Sequence, residues 1–184
     1  MKFKELSSNR LLLRRFKSSD LESFVDYRSD PEVARYQDWE NFSEAQGKVF
    51  IQEQSQQDID IPGTWLQVAL ELKETGTLIG DCAVHTLVND PRQIELGFTL
   101  SCQHQGHGYA QEALECLLGF LFGSLKKHRA IAITDAKNMP ASRLLEKLGF
   151  RREGHFIKNI WFKGAWGDEF LYAMLQEEWL KEKT

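Results

Sequence analysis

The sequence predicts a mixed α/β fold in which helices return to one sheet, and three observations carry that prediction. Apolar residues alternate with a period of two across 65–100, in three runs separated by turn signals. A polar turn holding Gly106 and Gly108 one residue apart then opens a stretch of helical apolar spacing. After it, short apolar runs alternate with a second helical stretch, so strands and helices interleave as in a layered sheet protein.

Residues 10–16, "RLLLRRF", read as the first strand. Ser18-Ser19-Asp20 reads as an N-cap for a short helix through Tyr27, with Leu21, Phe24 and Val25 on one face. "SDPEVARYQDW" reads as a turn with a short helical piece. Ser43 with Gln46 three residues on matches a capping box, which starts a mostly solvated helix over 43–57 carrying Val49 and Phe50. "WLQVALEL" then places Leu66, Val68, Leu70 and Leu72 on one strand face. "ETG" marks a hairpin turn, "LIGDCAVHTL" groups Leu78, Cys82 and Val84, and "NDPR" turns the chain again. "QIELGFTL" sets Ile94, Leu96, Phe98 and Leu100 against Gln93, Glu95, Gly97 and Thr99, completing a three-strand meander. Past the glycine turn, Ala110, Ala113, Leu114, Leu117, Leu118 and Leu121 share a helical face, and "RAIAIT" reads as a short strand. Asn138 caps a helix with Pro140 in its first turn, a stripe of Ala141, Leu144, Leu145 and Leu148, and Gly149 as its stop. Strands at 152–162 and 168–175 close the order β-α-α-β-β-β-α-β-α-β-β.

The totals narrow the class of function. The 184 residues fit one domain spanning 1–184, and 42% apolar with 27% charged content is that of a soluble globular chain. A net charge of −4 argues against a nucleic-acid binder. Cys82, Cys102 and Cys116 are odd in number and lack C-x-x-C spacing, which argues against a disulfide framework or a metal site and for a reducing compartment. The start, "MKFKELSSNRLLLRRF", has no long apolar stretch of a signal peptide, and "CLLGFLFGSL" is too short to span a bilayer. The expectation is a cytoplasmic protein without membrane or metal, a monomer or a homodimer.

The glycine turn is the first candidate site. A strand, a polar turn with close glycines and a helix start together offer unpaired N–H groups and the positive end of a helix dipole, which suits an anion. The run lacks the Lys-Ser/Thr of a phosphate-binding P-loop, and Gln111 stands where a dinucleotide fingerprint needs its third glycine. Spacing leaves a plain strand-to-helix loop as the alternative. A nucleotide-binding dehydrogenase domain is disfavoured by the meander that precedes the turn.

The run Gln103-His104-Gln105-Gly106-His107-Gly108 fits Q/R-x-x-G-x-G/A and resembles the acyl-CoA pyrophosphate loop of the GNAT superfamily of N-acetyltransferases. "NMPASRLLEKLGF" resembles that family's N-x-x-[SA]-x-x-L-x-E-K-L-G-F segment, and "NRLLLRRFKSSDLESF" and "GDEFLYAMLQEEW" resemble its RimJ/RimL branch, which includes enzymes that acetylate the N-termini of ribosomal proteins. The resemblance runs in order over nearly the whole chain. It implies a GNAT fold, with a strongly bent, splayed sheet that opens between the strand of Glu95 and the strand 130–134, and acetyl-CoA as co-substrate in the opening. It further implies that Phe98, Thr99 and Leu100 offer backbone groups to the pantetheine arm. Gln103, Gln105, Gly106, His107, Gly108, Tyr109 and Ala110 would form the pyrophosphate loop, and Asn138 would face the arm.

Acetyl transfer to an amine needs a base, a polarised carbonyl and a proton for the leaving thiolate. Glu95 is the candidate base; the alternative is an exposed strand glutamate. N–H groups near Phe98–Leu100 are candidate oxyanion donors. The tyrosine that many GNAT enzymes carry in the helix after the asparagine is Leu145 here. The serine frequent in the RimJ/RimL branch is Ala141, with Ser142 one helical step off, read as bonding the carbonyl four residues back. The proton donor stays open. His104 and His107 read as loop residues, His85 as an exposed strand end, Cys102 as no nucleophile, and "KKHR" at 126–129 as a solvated turn. Trp39, Trp65, Trp161 and Trp166 either line an acceptor cleft or pack elsewhere. Asp38, Glu40, Asp81, Glu95 and Asp168 look scattered, which favours a peptide or protein N-terminal amine over a polyamine or aminoglycoside. A non-catalytic acyl-CoA-binding module is the competing reading.

Overall fold

The computed structural model describes residues 1–182. Its strands are β1 (Leu6–Ser7), β2 (Leu11–Arg14), β3 (Trp65–Leu72), β4 (Thr77–Thr86), β5 (Gln93–Leu100), β6 (Arg129–Asp135), β7 (Arg151–Phe162) and β8 (Ala165–Leu175). Its helices are α1 (Leu21–Ser29), α2 (Pro31–Ala34), α3 (Glu44–Gln56), α4 (Tyr109–Gly123), α5 (Met139–Lys147) and α6 (Gln176–Glu182). The strands form one sheet in the order β1-β2-β3-β4-β5-β6-β8-β7, with β8 inserted between β6 and β7. The expected order of elements is present; β1, of two residues, and α6, which continues β8 without a break, are additions to it.

Two apolar layers sandwich the sheet. On one face, Leu66, Val68, Leu70, Ile94 and Leu96 pack with the α4 stripe, Ala113, Leu114, Leu117, Leu118 and Leu121, and with Leu145 and Leu148. On the other, Phe16, Phe24, Tyr27, Val33, Ile51, Ala69 and Leu78 form a second cluster under α1 and α3. The grouping of Leu78 with Cys82 and Val84 fails for a local reason. Leu70 pairs with Gly80 but Glu71 pairs with Leu78, so Ile79 is an extra residue on β4. Such a bulge reverses the alternation: Ile79 joins Cys82 and Val84 in the first cluster, and Leu78 crosses to the second.

Two other expectations are corrected, and that for α3 is met. Asp20 is not a side-chain cap for α1: its carboxylate takes the Arg14 guanidinium through two bonds of 2.7 Å, both groups buried, and accepts the Lys17 N–H. In α3, capped by the Ser43–Gln46 box as expected, the buried side chain is Ile51, while Val49 is exposed. The "KKHR" run is no solvated turn, because Lys127 is buried and bonds to Asp60 and to the Pro91 carbonyl.

The sheet opens where it changes direction. β5 and β6 are parallel and pair through Gln93↔Arg129, Ile94↔Ala130 and Glu95↔Ile131. Both run on, to Leu100 and Asp135, without pairing, while β4 covers β5 up to Leu100 and β8 covers β6 up to Asp135. In an extended strand, successive N–H and C=O pairs point to alternate sides. Every second residue of β5 beyond Glu95 therefore turns its backbone groups into a wedge.

Candidate active site

The wedge contains two adjoining cavities of about 570 and 670 Å³. They share a border of Tyr36, Gln37, Phe98, Thr99, Asn138 and Ala141.

The larger cavity lies over the glycine turn. Gly106 and Gly108 have φ of +78° and +80°, a left-handed region that side chains strain to adopt. Space around a Cβ at Gly106 is open to 4 Å, so the turn presents bare backbone to the cavity. Gly108 stands at the N-cap of α4, whose first hydrogen bond is Glu112 N–H to Gly108 O at 3.1 Å. The N–H groups of Tyr109, Ala110 and Gln111 thus have no acceptor within the helix. Of the residues expected here, Phe98, Thr99, Leu100, Gln105, Gly106, Gly108, Tyr109, Ala110 and Asn138 line the cavity. The Gln105 side chain donates to Leu100 O at 3.0 Å, which ties the turn to the end of β5. Asn138 caps α5 by accepting the Ala141 N–H at 3.2 Å.

Gln103 and His107, expected in the same loop, are exposed and lie off the cavity lining. His107 serves the turn otherwise, with its carbonyl accepting from Arg10 at 3.0 Å and its ring stacked on Tyr109. His104 bonds Ser101 through Nδ1 at 2.6 Å; burial, then the nearby His107, pushes its pKa down, so its ring is largely neutral at pH 7. Glu112 clamps α4 to the N-terminal strands, accepting from Ser8 Oγ (2.7 Å), Arg10 N (2.6 Å) and Arg10 Nε (2.7 Å). Burial pushes its pKa up, but these bonds outweigh that and hold the carboxyl below its usual value. Sequence reasoning missed the cations around this cavity, Arg35, Arg143 and Lys147. Arg143 and Lys147 sit four residues apart on one face of α5, a spacing visible in the sequence.

The smaller cavity carries the opposite charge. Asp38, Asp81, Glu95, Asp135 and Glu169 line it, against the single cation Arg28. Glu95 is half-buried on β5, in register with His85 on β4 and, through it, with Trp65 on β3. The Trp65 and His85 rings stack at 4.6 Å, and His85 Nδ1 is 3.7 Å from Glu95 Oε2. His85 is therefore no exposed strand end: it flanks the candidate base. Arg28 is buried among Phe24, Trp39, Phe42 and Phe50, 3.6 Å from Asp81, whose carboxylate also accepts the Tyr27 hydroxyl. Asp81 is thereby neutralised, and Asp38, Glu95, Asp135 and Glu169 are left to give the cavity its sign. Asp135 and Glu169 face each other across the β6–β8 pairing.

Most of the remaining candidates fall outside. Glu40 pairs with Lys163 at 3.6 Å and Asp168 with His155 at 2.9 Å. Trp39 and Trp65 line the smaller cavity, whereas Trp161 and Trp166 are exposed on the β7–β8 hairpin, packed edge to face at 5.5 Å. Ser142 is buried, and it is its N–H that meets Asn138 O, at 3.1 Å. Cys102 is exposed with its thiol pushed up to about 11, by burial first and Asp30 second, so it is a poor nucleophile at neutral pH.

The geometry therefore presents an anion-accepting cavity and a cation-accepting cavity that meet over β5. Known proteins resemble the chain in both sequence and fold. The acetyltransferase (GNAT) domain matches residues 10–151. The chain is similar to the uncharacterized N-acetyltransferase YnaD of Bacillus subtilis, at 31% identity over 174 residues, covering 95% of this chain and 98% of the relative. It is similar in structure to a GNAT-family acetyltransferase from Bacillus anthracis, with a TM-score of 0.84, 30% identity and coverage of 95% and 99%. A spermidine N-acetyltransferase from Vibrio cholerae, solved in complex with CoA and spermine, shares the fold at a TM-score of 0.79, 22% identity and coverage of 93% and 98%.

Proposed function

Because this chain belongs to the GNAT family of acetyltransferases, which use acetyl-CoA as co-substrate, we propose that residues 1–184 act as one cytoplasmic domain that moves the acetyl group directly to a primary amine held over Glu95. The observation that carries the reading is the border between the two cavities. Phosphates of the co-substrate belong at Gly106–Gln111 with Arg35, Arg143 and Lys147, and the amine belongs among the carboxylates.

A primary alkyl amine is mostly ammonium at neutral pH. Glu95 accepts its proton, directly or through water, which frees the nitrogen lone pair for attack. Backbone N–H groups of β5 beyond Glu95, left without a strand partner, stabilise the oxygen that gains charge at the carbonyl. The nitrogen–carbon bond forms, the carbon–sulfur bond breaks, and the thiol departs through the larger cavity.

For the acceptor, the geometry favours a small amine with more than one positive charge. Asp38, Glu95, Asp135 and Glu169 come from separate elements and face one cavity. Carboxylates grouped in a cleft select cations by steering and by pairing. The peptide N-terminus suggested by the RimJ/RimL resemblance is the second reading, favoured by the open backbone edges of β5 and β6, which suit main-chain pairing. A thiol-release assay with acetyl-CoA and spermidine, kanamycin and short free-amine peptides decides between them. The polyamine or aminoglycoside is expected to show the higher kcat/KM. A clear preference for peptides overturns the small-amine reading, and binding of CoA without turnover of any amine overturns the catalytic one.

A further inference from the structure

The proposed transfer leaves the departing thiolate in need of a proton, and the inference that follows rests on that reading. α5 offers no protic side chain at the border, where its Ala141 lines both cavities and Leu145 lines the smaller one. The chain has four tyrosines. Tyr27 and Tyr172 are buried in the two apolar clusters, and Tyr109 lines the larger cavity under His107 and Arg10. Tyr36, in the turn after α2, lines both cavities. Its hydroxyl donates to Lys137 O at 3.3 Å, so the ring bridges from the α2 turn to the segment that leads into Asn138 and α5. Among the polar residues of the border, Gln37, Thr99 and Asn138 carry amides or an aliphatic hydroxyl. A phenol is the stronger acid by far, and its ordinary pKa lies within about two units of a thiol's. The bond to Lys137 is long, hence easily exchanged for a better acceptor.

We infer that Tyr36 is the general acid of the transfer, its hydroxyl turning from Lys137 O to the sulfur at the border of the two cavities. As the carbon–sulfur bond breaks, sulfur keeps the electron pair and takes the Tyr36 proton, leaving free CoA thiol. The phenolate regains a proton from solvent, and the proton removed from the amine leaves through Glu95, so the overall proton count balances.

A hydroxyl that donates to sulfur also stabilises thiolate in bound CoA, and this is readable without turnover. The test is an ultraviolet difference titration of the CoA thiol bound to wild type and to Tyr36→Phe, beside steady-state kinetics. Loss of a bond to a charged acceptor should raise the bound thiol's pKa by about one unit or more. The kcat should fall about 10²-fold or more with the KM for acetyl-CoA little changed. Tyr36→His provides a second reading if the phenylalanine variant does not fold: its acid is lost above about pH 7, so the alkaline limit of kcat should move down accordingly. An unchanged thiol titration with kcat within about twofold, set against that span, overturns the assignment and leaves the acetyltransferase reading intact. An unmoved alkaline limit in the histidine variant overturns it equally. Wild type that binds CoA yet acetylates no amine sinks the acetyltransferase reading, while the titration still decides whether Tyr36 meets the sulfur. Failure of wild type to bind CoA overturns both.

Discussion

The two halves of the cleft are built from different kinds of sequence. The larger cavity rests mainly on one contiguous run, from Phe98 at the end of β5 through the glycine turn to Gln111 in the first turn of α4, with α5 and the segment from α2 to Gln37 closing it. The smaller one is collected from the α1–α3 region, β3, β4, β5, β6, α5 and the β7–β8 hairpin. The first binds through backbone, and so depends on φ values and glycines. The second selects through side chains, and so depends on which carboxylates the sheet brings together. A shared co-substrate and a variable acceptor fit that difference: the contiguous half is hard to alter piecemeal, and the collected half changes one residue at a time.

Four experiments break or sharpen this contrast. The largest effect is expected for Glu95→Gln, which keeps shape and removes basicity: turnover should fall about 10²–10⁴-fold, most at lower pH, with acetyl-CoA affinity nearly unchanged. A rate within about twofold of wild type across the pH range would falsify the role of Glu95. Next comes Gly108→Val, since φ of +80° is costly for a branched side chain. A penalty of about 1–2 kcal/mol should weaken acetyl-CoA binding about tenfold in calorimetry and leave the amine KM alone. Equal affinity in a folded variant removes the turn from the binding site.

Smaller effects separate the two charges. Arg143→Ala should raise the KM for acetyl-CoA, and Asp135→Asn the KM for a polyamine, each about three- to fivefold and each without the other. If both substitutions act on the same substrate, the division of the cleft is wrong. The smallest effect belongs to the clamp beneath the turn. The folded pKa of Glu112 lies below its unfolded value, so its contribution is complete above about pH 4.5 and is lost as pH falls through the folded value. Glu112→Gln should cost about 0.5–1 kcal/mol in urea unfolding at pH 7, discounted for the exposure of Arg10, and the difference should vanish in strong acid. A gap that persists in acid assigns the effect to shape rather than charge.

Legibility in the sequence follows the same divide. The meander, α4 and α5 were readable because each carries a strict period with turn or cap residues at its ends, as with Asn138 and Gly149. The glycine turn was readable because backbone requirements leave a mark on residue type. The bulge at Ile79 left none, since an apolar run looks the same with or without an extra residue. Asp135 and Glu169 went unseen because only the β6–β8 register sets them side by side. Asp20 looked like a cap, since the sequence does not tell that Arg14 is buried and in need of its carboxylate. Tyr36, outside every periodic element, gave no sign of its place on the border.

The short pairing between β5 and β6 carries one more consequence, for amide hydrogen exchange. β5 lies fifth in a sheet of eight, where amides are ordinarily the slowest to exchange. Pairing with β6 stops at Glu95, so the wedge-facing amides further along β5 should trade protons at rates closer to those of a sheet edge, beside protected neighbours that point to β4. A co-substrate rich in amides, laid along that gap, would act as the missing strand. Its arrival should appear as an alternating slowing along 96–100, one residue in two.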